Sequence, residues 1–106
     1  MDAFEMAELV AWREQTGELY HEFLRRPSMS LGLYVLDAGA EDRQSPHDED
    51  EVYYVVAGRA AITVAGERRD VAAGSVVFVS ADAEHRFHDI TERLELLVVF
   101  APAESG

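Results

Sequence analysis

The amino-acid sequence predicts an all-β domain, an antiparallel barrel or sandwich preceded by one short helix. Three observations carry that expectation. Apolar runs of strand length recur about every ten residues from Leu31 to the C-terminal region. Glycines stand at the corners between them, at Gly39, Gly58, Gly66 and Gly74. After Leu31 no helical periodicity separates the runs, which argues against a sheet interleaved with helices.

The elements follow in order. Asp2 to Gln15 is rich in helix formers, with Met6, Leu9, Val10 and Trp12 apolar and Glu5, Glu8, Arg13 and Glu14 polar, and the helix is expected to stop near Gly17. The stretch from Glu18 to Arg26 reads either as a strand or as an irregular arm: Leu19, His21 and Phe23 share one parity, and Pro27 closes it. Leu31, Leu33 and Val35 alternate with Gly32, Tyr34 and Leu36 in a strand stopped between Asp37 and Gly39. Thereafter "EVYYVVAG" leads to a corner at Gly58, "AAITV" to a tight turn at Ala65, Gly66 and Glu67, and "DVAAG" to Gly74. "SVVFVS" runs into a loop from Ala81 to Glu84, and "LELLVVF" forms the last strand. Residues 1–30 are therefore expected to form a helix and arm packed outside a barrel built from residues 31–106.

The chain has 106 residues, enough for one domain with one core. No apolar run approaches the roughly 20 residues of a bilayer-spanning helix. The N-terminus carries acids where a secretory signal carries a basic region, so a cytoplasmic location is expected. Cysteine is absent, which excludes disulfides and thiolate metal sites. A formal net charge of −12 argues against nucleic acid and anionic membrane surfaces as partners.

Two spaced motifs make the reading specific. Gly39, five residues, Ser45, Pro46, His47, three residues, Glu51, six residues and Gly58 form the first. Gly74, five residues, Ser80, Ala81, Asp82, two residues, His85, three residues and Asp89 form the second. In this register the chain resembles the cupin superfamily of small double-stranded β-helix, or jelly-roll, barrels. Ser45 stands where the first motif carries a histidine, and Ser80, Asp82 and Asp89 replace the usual Pro, Gly and Asn of the second.

The resemblance implies that His47, Glu51 and His85 point into the barrel mouth and hold one divalent metal ion per chain, Fe, Mn, Zn, Ni or Co. Two imidazoles and one carboxylate leave coordination positions open for water or a chelating substrate. Read without the resemblance, His47 is an ordinary solvated imidazole and Asp48 to Glu51 a solvated acidic loop. Glu49 and His88 are the two candidates for the ligand missing at Ser45, against their plain readings as a loop acid and as an outward-facing partner of Asp89. Tyr53, Phe78 and Phe87 have the parity to line the interior. No catalytic residue can be assigned; Arg43 and Arg86 lie near the motifs, but arginines near loops are ordinary.

Two functional classes follow. One is a small metal-dependent enzyme of dioxygenase, isomerase or lyase type acting on an oxygen-bearing metabolite. The other is a non-catalytic barrel that binds or senses a small molecule, with or without metal. Cupins commonly dimerise sheet on sheet, so a homodimer is expected, with "LYVL", Tyr20 and Phe23 offering the apolar surface.

Overall fold

The computed structural model describes residues 1–105. Helix α1, Met6–Thr16, ends at Gly17, whose φ of 70° lets its N–H turn back to the Arg13 carbonyl at 2.8 Å. Leu9 lies buried beneath it on Leu33 and Val35, with Met6, Val10 and Phe23 around them. Six strands follow: β1 Tyr20–Arg26, β2 Met29–Leu36, β3 Asp50–Val64, β4 Glu67–Ala72, β5 Val76–Val79 and β6 His85–Ala101. They form one antiparallel sheet in the order β1-β2-β6-β3-β4, with β5 also paired to β3. No helix among the described residues is long and apolar enough to cross a membrane.

The segment left open between strand and arm is a strand, paired with β2 from Tyr20↔Tyr34 to Arg26↔Met29. Both faces of β2 are buried. Tyr34 and Leu36 join the barrel core, whereas Leu33 and Val35 lie under α1. This corrects the surface expected to meet a second copy: Leu33, Val35 and Phe23 are engaged by the chain's own helix, and Tyr20 turns toward the interior. The tip of the Tyr20 ring crosses Gly32, where a Cβ would stand 2.2 Å from it.

Gly58 is not a corner between strands. β3 runs straight through it at a φ of 101°. The β3–β6 register shifts at three places between Val55 and Ala61, and a Cβ on Gly58 would meet the Arg93 carbonyl oxygen at 2.2 Å. A positive-φ glycine among bulges bends a ladder without breaking it. The first half of β3 can therefore pair with β5, the second half with β4, and the sheet curls into a barrel. At Ala65 and Gly66, with φ of 48° and 85°, the chain makes the two-residue turn the sequence signals.

Strand alternation assigns the interior. Tyr53 and Phe87 are buried in the core, 0% and 1% exposed, with rings 4.9 Å apart edge to face. Phe78 is a correction, since it is 59% exposed. It pairs with Val52, on the outward side of β3, so the neighbouring Val79 takes the core position.

Candidate metal centre

Glu51 and Tyr53 share the inward face of β3, and His85 opens β6 across the barrel mouth. His47 comes from the loop before β3, held in place by the Asp82 N–H donating to the His47 carbonyl at 2.7 Å. That bond ties the first motif to the second. The side-chain ligand atoms of His47, Glu51 and His85 all lie within 4.8 Å of one another. Ser45 is exposed and takes no part.

A buried carboxylate organises the loop. Asp42 accepts from the Tyr34 hydroxyl at 2.8 Å and from the Phe87 N–H at 2.8 Å, which fastens the loop to β2 and β6. It also accepts from the Gln44 side-chain N–H at 2.9 Å. The Gln44 amide oxygen is thereby turned inward, 3.3 Å from His47 Nε2, and receives the Tyr53 hydroxyl at 3.1 Å.

Contacts at the outer ring edges orient both imidazoles. His85 Nδ1–H donates to the Ala83 carbonyl at 2.9 Å, so in the neutral ring Nε2 carries the lone pair. That Nε2 sits 3.1 Å from the Tyr53 hydroxyl and 3.2 Å from Glu51 Oε1. His47 Nδ1 lies 3.2 Å from Glu104 Oε2, which likewise leaves Nε2 facing the centre. Glu51 is 2% exposed, and neither of its carboxylate oxygens has a hydrogen-bond partner. His85 Nε2, 3.2 Å from Glu51 Oε1, becomes its ion-pair partner when the ring is protonated.

Burial works against protonation of His85, but the nearby Glu51 and the Ala83 carbonyl outweigh it and raise its pKa. Desolvation pushes the Tyr53 phenol well above its ordinary value, and the Glu51 charge adds to this, so the phenol remains protonated. Glu104 is raised by burial, partly countered by His47.

Beside these groups lies a cavity of about 160 Å³ walled by Tyr20, Tyr34, Tyr53, Val98 and Phe100. It is smaller than sites for drug-sized ligands, which span about 300–1,000 Å³. The Tyr20 hydroxyl is buried in this wall without a partner. Neither Arg43 nor Arg86 lines the cavity; Arg43 pairs with Glu41 on the surface.

The two substitutes considered for Ser45 lie elsewhere. Glu49 is buried but accepts from the Ser105 hydroxyl at 2.8 Å. His88 bonds Thr63 at 2.7 Å and Asp89 at 3.0 Å, and it lowers the Asp89 pKa. The sequence reading missed Asp42, Gln44, Tyr20 and Glu104, none of which occupies a named motif position.

The family model described as "Cupin domain" matches residues 32–100. An uncharacterized protein of Streptomyces coelicolor is 56% identical over 105 residues, spanning 99% of this chain and 100% of that protein. Among solved structures, an RmlC-like cupin from Shewanella frigidimarina has a TM-score of 0.72 at 25% identity, covering 79% of this chain and 75% of that one. A Thermus thermophilus protein has a TM-score of 0.77 at 24% identity over 97% of this chain and 99% of its own.

Proposed function

The chain belongs to the cupin-domain family, and from that membership we infer that it is a metal-binding single-domain cupin, working as a small metal-dependent enzyme of dioxygenase, isomerase or lyase type on a small oxygen-bearing metabolite. One observation carries the metal. Glu51 is buried with both carboxylate oxygens unpartnered, beside two imidazoles whose outer nitrogens are engaged elsewhere. An unpaired buried carboxylate costs several kcal/mol, and a cation held between it and the imidazole lone pairs relieves that cost. His47, Glu51 and His85 fit such an ion by donor type and by convergence.

When bound, a divalent ion supplies Lewis-acid polarisation of a substrate oxygen. The chain supplies the rest. Tyr20 presents a buried hydroxyl to a ligand oxygen, and Tyr34, Val98 and Phe100 exclude water from the cavity. The second reading, a non-catalytic binding or sensing barrel, draws on the same cavity. Its metal-free form is disfavoured for anions, because the charged groups lining the cavity besides His47 are the carboxylates Glu51 and Glu104.

The protein partner in this reading is a second copy. The outer face of β3, β5 and β6 presents Tyr54, Val76 and Phe78 to solvent beside Val52, Leu97 and Val99 in direct register. That face is mainly apolar, with Asp50 and Glu95 at its two ends, and suits sheet-on-sheet packing in a dimer of C2 symmetry. A cytoplasmic location and the absence of nucleic-acid and membrane partners complete the reading.

Elemental analysis of protein purified without chelator or affinity metal tests the centre. Stoichiometric Fe, Mn, Zn, Ni or Co is expected, lost in His47→Ala and His85→Ala and kept in Glu49→Ala and His88→Ala. Wild-type metal content in both histidine variants would overturn the site.

A further inference from the structure

Resting on the metal reading above, we propose that the side-chain amide oxygen of Gln44 is the fourth protein ligand, replacing the histidine that Ser45 displaces, and that Asp42 is the residue that positions it. Asp42 removes the ambiguity of the amide. Its buried carboxylate accepts from Gln44 Nε2 at 2.9 Å, and the reversed amide would set oxygen against oxygen there. The oxygen must therefore face His47 Nε2, 3.3 Å away.

With its proton on Nδ1, 3.2 Å from Glu104 Oε2, a neutral His47 ring points a lone pair at that oxygen; with the proton on Nε2 the ring instead donates to it. His85 Nε2 and Glu51 Oε1, 3.2 Å apart, form a second such pair once Ala83 has taken the Nδ1–H. In the Nδ1–H tautomer of His47, the one a metal ion requires, four acceptors converge and the Tyr53 O–H is the one proton among them. Adjacent donors on one ion at bond lengths of about 2.1 Å lie about 3 Å apart, the spacing both pairs already have.

Glu104 is the rival. It touches His47 at Nδ1, the ring edge away from Gln44, and falls outside the 4.8 Å cluster of His47, Glu51 and His85. It serves as a carboxylate that orients the ring.

The test measures Co(II) affinity by chelator competition and records the visible spectrum of the Co(II)-loaded protein. Gln44→Ala is expected to weaken binding about tenfold or more and to change the spectrum, as a ligand is lost. Asp42→Asn should weaken binding by about 10–100-fold, the usual effect of losing an outer-shell partner; thermal melts report whether it stays folded, and Gln44→Ala decides the matter if it does not. Glu104→Ala should leave the spectrum unchanged. The proposal is overturned if His47→Ala and His85→Ala lose the metal while Gln44→Ala keeps wild-type affinity and spectrum, or if Glu104→Ala alone alters the spectrum. Retention of metal by the histidine variants would instead sink the parent reading.

Discussion

Glu51→Gln should make the metal-free protein more stable and the metal-dependent gain in stability smaller. The carboxylate is 2% exposed and accepts no hydrogen bond, so folding strips its solvation without replacement. Real proteins incur several kcal/mol for such a charge, of which His85 at 3.2 Å returns a part. A glutamine of the same size removes the charge and brings an NH₂ within reach of His85 Nε2 and the Tyr53 oxygen. A net gain of about 1–2 kcal/mol follows for the apo protein, with 1 kcal/mol shifting Tm by about 4–8 °C in a domain of this size, so Tm should rise by about 4–16 °C. Metal at 100 times its Kd stabilises the wild type by about 2.7 kcal/mol, or at least about 10 °C. Scanning calorimetry at pH 7.5, with EDTA and then with saturating Mn(II) or Zn(II), reads both quantities. A metal-free variant that melts below the wild type, or a metal-induced shift equal to the wild type's, would refute the reasoning.

The remaining predictions are briefer. The raised pKa of His85 gives the metal-free fold stability that is fully present below the ordinary imidazole value of about 6.5 and lost as pH rises through the higher folded value. Metal affinity runs the other way, so melts across pH 5.5–8 (a range of about 2.5 units around that value) should slope down without metal and up with it; parallel slopes would contradict both. Phe87→Ala empties a core position 1% exposed and stacked on Tyr53 and should cost about 3–5 kcal/mol, read from the urea midpoint. Phe78→Glu, on the open outer face, should leave only the monomer mass in light scattering where the wild type is expected to give the proposed dimer.

Much of this architecture was legible because it repeats at short range. Strand alternation and glycine spacing placed the barrel strands, and the motif register led to three side chains that the fold brings within 4.8 Å. What escaped depends on long-range contact. Gly58 carries the signal of a corner but serves as a bend, because the β6 backbone packs against it and holds the strand together. Phe78 obeys the alternation of its own strand, yet only its pairing with Val52 fixes which face is outward. Asp42 and Gln44 fall among the five unspecified residues of the first motif. Glu104 reaches His47 from the other end of the chain, through a tail held by Arg25 and Ser30.

The contact between Tyr20 and Gly32 separates two properties that evolution can then adjust independently. The donor groups stand on β3, β6 and the loop before β3, whereas the room beside them is set from the sheet edge, by a β1 ring that fits only because β2 has no side chain beneath it. Exchanging Tyr20 for a smaller residue would enlarge the chamber, and a side chain at Gly32 would expel the ring altogether. Neither position is among the three candidate ligands His47, Glu51 and His85. Cavity size can therefore be varied along β1 and β2 without touching His47, Glu51 or His85, and libraries aimed at the proposed pocket belong at these two positions.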